Sequence, residues 1–281
     1  MKPVAFEYQM ADSAKEAAQV AAKPQSGAKF IAGGQSLGPM LNLRLARPQR
    51  LLDLTKASDL ARIERSGDSI RIGAGVSHAR IEDGEGPDGL PPLLPYVARG
   101  IAYRAVRNRG TVGGSLAHAD PAADWIATMT VLNAKVEAVS YDNRQRLRSR
   151  QIAMADFMLG GFRTALGADE LIAAVEVPAW SGGERWGYYK ICRKVGEFAD
   201  AIGAVVIDPR RSYACVVAGA TGGAPIILDE LAFELARTAR PLPDPRVRDA
   251  VAAGLAGFGD DVKLQKLVVA LQRAISKVLP Q

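Results

Sequence analysis

Two pairs of adjacent glycines place the strongest constraint on how this chain folds. The first pair, Gly33-Gly34, follows a short apolar run over residues 29–32 and precedes Gln35-Ser36. Glycine tolerates positive φ and lets a ligand or another backbone approach closely. Successive peptide N–H groups in such a loop can point into one concavity, which suits a phosphate. Taken alone, this pair is equally consistent with a tight turn.

The second pair, Gly113-Gly114, stands between the hydroxyl residues Thr111 and Ser115. Two loops rich in amides could hold a pyrophosphate from two sides, whereas the alternative is two unrelated turns. Neither loop fits the Gly-x-Gly-x-x-Gly or P-loop pattern. Asp124 could accept hydrogen bonds from ribose hydroxyls or could simply offset a helix dipole. The residues alone leave both interpretations open.

The rest of the chain alternates short strand and helix patterns without one continuous β-α-β series, which predicts an α+β fold. Helices are predicted to begin at the Ser13 capping box, at Ser77, at Asp120 with Pro121 in its first position, and near Leu264. Strands are predicted over residues 29–32, 51–54, 69–76, 170–178, 186–191, 202–208 and 213–219. Residues 180–185 are the most linker-like stretch, so a domain boundary is placed there.

Composition excludes several classes of protein. No apolar run reaches the roughly 20 residues that cross a bilayer, and the first residues lack the apolar core of a signal peptide. A cytoplasmic location is therefore expected. The two cysteines, Cys192 and Cys215, and the two histidines, His78 and His118, are scattered. Iron–sulfur clusters and structural zinc sites take four ligands, so both cysteines are interpreted as small buried apolar residues.

The basic balance, a net charge of +6 and a pI near 9.4, raises the question of nucleic acid. The densest basic run, residues 144–150, alternates arginine with other residues. It is predicted to form the solvated face of a hairpin whose other arm is residues 135–140 and whose turn is Asp142-Asn143. An anionic cofactor or partner subunit would also suit a basic surface. Nucleic acid is not expected.

Three segments together resemble one known family. Residues 32–37, followed by 39–46, are similar to the first flavin loop of the medium subunit of carbon monoxide dehydrogenase. Residues 107–115, followed by 118–124, resemble its second flavin loop, and residues 188–190 with 193–199 resemble the start of its C-terminal domain. The chain therefore resembles the FAD-binding medium subunits of the molybdenum hydroxylases, which include xanthine dehydrogenase.

The resemblance implies an α+β fold. It implies an FAD-binding domain of the p-cresol methylhydroxylase or vanillyl-alcohol oxidase type over residues 1–178, with subdomains of about 1–58 and 59–178, and a small α+β C-terminal flavoprotein domain over 179–281. The FAD is expected to be non-covalent, and neither a catalytic residue nor a metal ligand is expected in this chain. The residues implied to bind FAD are Ile31, Ala32, Gly33, Gly34, Gln35, Ser36, Leu37, Gly38, Ile101, Thr111, Val112, Gly113, Gly114, Ser115, Asp124, Ile172 and Lys190.

The family also implies partners and a role. A large subunit would hold the molybdenum cofactor and a small subunit two [2Fe-2S] clusters, in a dimer of heterotrimers. This chain would take electrons from the clusters through FAD and pass them to an external acceptor. Arg107, Arg109 or Lys190 near the flavin ring could favour the reduced, anionic flavin. The alternatives are a self-contained flavin oxidoreductase of the same fold and a nucleotide-binding scaffold that has lost flavin; the substrate and the acceptor are not identifiable from the sequence.

Overall fold

Three short parallel strands form the first sheet. The computed structural model describes residues 2–23, 26–142, 146–255 and 260–279. The sheet consists of β1 (Glu7–Met10), β2 (Ala28–Ile31) and β3 (Arg50–Asp53), in the order β1-β3-β2. Helix α1 (Ala14–Ala21) connects β1 to β2, and helix α2 (Leu37–Asn42) lies between β2 and β3. The Ser13 hydroxyl accepts a hydrogen bond from the Glu16 N–H and caps α1, which confirms this predicted helix start.

The second sheet has five antiparallel strands. They are β4 (Ile63–Ser66), β5 (Ser69–Gly73), β6 (Lys135–Tyr141), β7 (Leu147–Ala153) and β10 (Leu171–Pro178), in the order β4-β5-β10-β6-β7. A short hairpin, β8 (Met158–Gly160) and β9 (Arg163–Thr164), precedes β10. One turn of 3-10 helix (Ser58–Leu60) leads into β4.

Among the described residues of this second part of the chain, six helices lie between the strands. They are α3 (His78–Glu82), α4 (Leu93–Arg99), α5 (Arg104–Arg107), α6 (Val112–His118), α7 (Asp124–Val131) and α8 (Met154–Phe157). Ser77 caps α3, so this predicted helix start is confirmed. Every residue of α7 is buried, since α7 packs against α4, α6 and α8 and against the strands that follow, and shares one core with the second sheet.

The predicted helix start at Asp120 is wrong by one turn. The Asp120 carboxylate accepts a hydrogen bond from the Ala122 N–H at 2.9 Å and closes a turn that contains Pro121. Ala123 is extended, and α7 begins only at Asp124. Aspartate followed by proline suits a turn as well as a helix cap, because in both cases the side chain accepts from a nearby backbone N–H.

A four-stranded antiparallel sheet and, in the described part of the remaining chain, three helices complete the fold. The strands, in spatial order, are β11 (Arg185–Ile191), β12 (Ala201–Asp208), β13 (Tyr213–Gly219) and β14 (Ile226–Ile227), which confirms the predicted meander. The helices are α9 (Asp229–Thr238), α10 (Asp244–Gly254) and α11 (Asp261–Ser276). The apolar face of α11 is buried against β11 and β12, as its periodicity predicts.

One hydrophobic core joins the second and third sheets. Trp125 and Ile126 of α7 belong to the same buried cluster as Ile72 of β5 and Ile202 and Val217 on the third sheet. Because α7 contacts β12 and β13 directly, its first residue faces the third sheet. This packing positions the polar cluster described below.

Two interpretations from the sequence concern surface and burial. Cys215 is buried as expected, but Cys192 is only half-buried, so the interpretation of Cys192 as a buried apolar residue is wrong. Cys192 directly follows the end of a strand, where packing is incomplete. Arg146, Arg148 and Arg150 lie on the exposed hairpin as predicted, whereas Asn143, Arg144 and Gln145 fall outside the described residues. None of the described helices has the length and apolarity that a membrane crossing requires.

Candidate functional site

The first glycine loop presents unused backbone donors. It runs from the end of β2 to the start of α2, and Gly34 has a positive φ of 69°. Over the described ranges of the chain, the N–H groups of Gly33, Gly34, Gln35 and Ser36 have no protein acceptor. Two hydrogen bonds within the loop stabilise it: the side-chain amide of Gln35 donates to the Gly33 carbonyl at 2.9 Å, and the Gly38 N–H donates to the Gly34 carbonyl at 2.8 Å. A concave run of free N–H groups is what an anionic ligand requires.

The two glycine loops are in direct backbone contact. A Cβ added to Gly33 would lie 1.9 Å from the Arg109 carbonyl oxygen and 2.8 Å from the Gly110 Cα. Real Cβ atoms do not approach carbonyl oxygens so closely, so only glycine fits at position 33. The structure therefore brings the two loops together, although they lie far apart in the sequence.

Most amides of the second glycine loop are already used within the protein. Those of Val112 and Gly113 donate to backbone carbonyls just after β5, at 3.0 and 2.9 Å. The Gly114 N–H donates to the Thr111 hydroxyl at 3.0 Å and so caps α6. This loop therefore anchors the site, whereas the first loop supplies the free donors.

Glycine is needed in the second loop for packing and for access. A Cβ on Gly113 would lie 2.3 Å from the Ala74 Cβ, so this residue allows α6 to pack against the segment after β5. Gly114 is exposed, and an added Cβ there would meet only the Thr111 hydroxyl, at 2.9 Å. Its outer face, with half-buried Ser115 beside it, is open to a ligand.

His78 packs against the second loop at Gly110. Its backbone N–H donates to the Gly110 carbonyl at 2.9 Å, and its Nδ1 accepts from the Trp125 indole at 3.0 Å. Burial, together with the charge of Arg107, lowers the pKa of His78 to about 4, so the imidazole is neutral at physiological pH. This role of His78 is not predictable from the sequence, because nothing local marks a histidine as a packing partner of a distant glycine.

Asp124 and Lys190 form a buried ion pair. The ammonium lies 3.0 Å from the carboxylate, and their side chains are only 9% (Lys190) and 6% (Asp124) exposed. The Tyr188 hydroxyl donates to the same carboxylate at 2.7 Å, and Lys190 also donates to the Gly100 carbonyl at 2.9 Å. Burial raises the pKa of Asp124, while Lys190 and Tyr188 counteract this by favouring the carboxylate.

This polar cluster connects α4, α7 and β11. Both Asp124 oxygens have protein donors, so a ribose hydroxyl would have to share them, which a carboxylate allows because it has about four acceptor positions. The sequence identifies Asp124 and Lys190 separately. It predicts neither their ion pair nor the hydrogen bond from Tyr188 to Asp124. The signal for Tyr188 was its alternation with Lys190 along β11, which places both side chains on one face of the sheet.

The remaining predicted contact residues lie in different surroundings. Ile101 is half-buried and forms a bridge to Gly196, with the next N–H donating to the Gly196 carbonyl at 3.0 Å. The Arg107 guanidinium, which is paired with Glu82, also donates to the Ile101 carbonyl at 2.9 Å. Ile172 is 5% exposed within β10, in the core. Contact of Ile101 and Ile172 with a cofactor stays a prediction.

The first and second loops together could hold an anionic group such as a pyrophosphate. Among the described residues, four N–H groups of the first loop have no acceptor, and the second loop beside it is hydrogen-bonded to the segment after β5 and has an exposed glycine. Among the described residues no cluster of histidine, cysteine, aspartate or glutamate could hold a metal ion.

The sequence is similar to flavin-binding proteins. Residues 4–180 match the family described as the FAD binding domain in molybdopterin dehydrogenase. The nicotine 6-hydroxylase medium subunit of Paenarthrobacter nicotinovorans is 38% identical over 224 residues, which cover 80% of this chain and 76% of that protein. The carbon monoxide dehydrogenase medium chain of Hydrogenophaga pseudoflava is 35% identical over 207 residues, which cover 74% and 70%.

Solved structures show the same architecture over nearly all of the chain. A chain of the reconstituted CO dehydrogenase from Oligotropha carboxidovorans superposes with a TM-score of 0.87 at 29% identity and covers 99% of both chains. A chain of quinoline 2-oxidoreductase from Pseudomonas putida 86 superposes with a TM-score of 0.85 at 31% identity and covers 99% of this chain and 98% of that one. The expected α+β fold is therefore confirmed.

Proposed function

Because the chain belongs to the family of FAD-binding domains in molybdopterin dehydrogenases, we propose that it is the electron-exit subunit of a molybdenum hydroxylase. It takes electrons from the [2Fe-2S] clusters of a partner subunit and passes them through FAD to an external acceptor. The observation that carries the proposal is the group of free N–H donors at residues 33–36, in backbone contact with the second glycine loop.

The chain's own residues bind and orient the cofactor. The N–H groups of the first loop hold the pyrophosphate, and Gly114 lets the cofactor approach α6 closely. The Asp124–Lys190 pair fixes the segment that contains Gly100 and Ile101. When bound, FAD supplies a group that accepts electrons singly and delivers them in pairs. Binding is non-covalent.

The proposed partners are a large subunit with the molybdenum cofactor and a small subunit with two [2Fe-2S] clusters, assembled as a dimer of heterotrimers. The relatives support this arrangement, since they are named medium subunits or medium chains of dehydrogenases and hydroxylases. The sequence has two cysteines, too few to ligate two such clusters. We place the complex in the cytoplasm.

We also propose three structural units within the chain, over residues of about 1–58, 59–178 and 179–281. The proposal is supported by the sheets, because each of the three main sheets draws its strands from only one of these ranges. The shared core around α7 joins the second unit to the third.

Purification of the tagged chain from its native host tests the function. The expected product is a yellow complex that releases one FAD per chain on denaturation, with a molybdenum-containing large chain and an iron-containing small chain. Rapid mixing with the substrate of the complex should reduce the clusters before or together with the flavin. Turnover by the isolated yellow chain alone would favour a self-contained oxidoreductase, and a colourless chain that does not bind added FAD would contradict the proposal.

A further inference from the structure

From the sequence, Arg107, Arg109 and Lys190 are cations that could act on a flavin, and the first and last of them are paired within the protein. The Arg107 guanidinium, whose side chain is 11% exposed, binds both Glu82 oxygens, at 2.7 and 2.9 Å, and two backbone carbonyls. The Lys190 ammonium is paired with Asp124 and the Gly100 carbonyl. Neither charge is available to a ligand without breaking a buried ion pair.

Arg109 differs from both. Its side chain is exposed, and its guanidinium makes no hydrogen bond or ion pair with any residue in the ranges that the structure describes. The positive charge of Arg109 nevertheless acts on Asp53, at the end of β3, by lowering the pKa of its carboxyl group. Burial alone would raise the pKa of Asp53, but hydrogen bonds from Thr55 and Tyr8 and the charge of Arg109 together lower it.

The backbone of Arg109 is fixed at the junction of the two glycine loops. Its carbonyl oxygen packs against Gly33, and its N–H donates to the Val106 carbonyl at 3.1 Å. A fixed backbone therefore places Arg109 directly beside the loop that carries the unused N–H groups of residues 33–36, and its guanidinium is exposed. Guanidinium binds phosphate oxygens in a planar, bidentate geometry that lysine cannot reproduce.

We propose that the Arg109 guanidinium binds the pyrophosphate of FAD together with the N–H groups of residues 33–36, and that it does not act on the flavin ring. This inference rests on the proposed function. The two sides of the phosphate site then differ in chemistry: the first loop contributes neutral amide donors, and the second loop contributes one exposed positive charge.

The test compares Arg109→Gln with Arg109→Lys and with Arg237→Gln, a matched loss of one exposed arginine on α9. Affinities of the full-length apoprotein are measured for FAD, by quenching of flavin fluorescence, and for ADP, by displacement of FAD. Arg109→Gln should weaken both ligands by about tenfold, as expected for loss of one hydrogen-bonded charge contact. Arg109→Lys should lose less, and Arg237→Gln should match the wild type.

Salt provides a second readout. The FAD affinity of the wild type should fall more steeply with ionic strength than that of Arg109→Gln, because a solvent-exposed charge contact is screened. Equal salt dependences, or an unchanged ADP affinity with weakened FAD, would overturn the proposal, the latter by placing the guanidinium at the ring. A wild-type chain that fails to bind FAD at all would instead reject the proposed function.

Discussion

Replacement of Gly33 by alanine probes the contact on which the whole site depends. The added Cβ would lie 1.9 Å from the Arg109 carbonyl oxygen, so the two glycine loops must separate to admit it. Gly33 does not have a positive φ, so steric conflict is the only cost. Overpacking of this kind costs about 1–3 kcal/mol, which corresponds to a melting temperature about 2–12 °C lower for a protein near this size. Displaced N–H donors should also weaken FAD binding by tenfold or more, roughly the loss of one charge-assisted hydrogen bond.

Melting should be measured on apoprotein, because bound ligand stabilises the folded state by mass action and would mix the two effects. Gly223→Ala is the matched control, since a Cβ there meets nothing within 4 Å and no positive φ is involved. It should melt and bind FAD like the wild type. An apoprotein of Gly33→Ala with wild-type melting temperature and wild-type FAD affinity would refute the backbone contact between the loops.

Three further predictions concern groups around the site. Lys190→Met should lower the free energy of unfolding by about 3–5 kcal/mol, because it leaves a buried carboxylate without its cation; in a double-mutant cycle with Asp124→Asn from urea unfolding, additive losses would contradict the pair. His78 is neutral in the fold, with a pKa lowered to about 4, but protonates near pH 6.5 when unfolded, so its contribution to stability is lost as pH falls from about 6.5 to about 4, by about 1.4 kcal/mol per pH unit. Stability of His78→Gln, followed by denaturant titration across this range, should lack that component, and parallel profiles would count against it. Thr111→Ala should destabilise the apoprotein by about 1 kcal/mol, because the Gly114 N–H loses its capping acceptor, whereas Thr111→Ser should retain most of the stability in thermal unfolding; equal losses in the two variants would show that the cap contributes nothing.

Local signals predicted much of the secondary structure. The Ser13 cap, the meander from β11 to β13 and the amphipathic α11 all depend on spacing within one element, which the sequence displays directly. The start of α7 was misplaced because Asp120 carries the same signal for a turn as for a cap. Whether Asp120 closes a turn or caps a helix is settled only by the packing of the surrounding residues in the folded chain.

The site was predicted as a set of residues but not as a set of roles. The sequence presents two similar glycine pairs, yet Gly33 faces a carbonyl of the other loop and Gly113 faces the Ala74 side chain. These contacts with residues distant in the sequence determine which backbone N–H groups are left without an acceptor. The Asp124–Lys190 pair is likewise invisible to local pattern, because its partners come from different parts of the chain and meet only through the packing of α7.

The burial of α7 in the core shared by two sheets has a consequence for how such a protein can be divided. A fragment ending near residue 180 would retain both glycine loops, yet it would leave the third-sheet side of α7 in water and strip Asp124 of both side-chain partners. Such a fragment should aggregate in solution, because it exposes a large apolar surface. A transferable form of this fold should therefore include the C-terminal sheet as well as the residues that carry the two glycine loops.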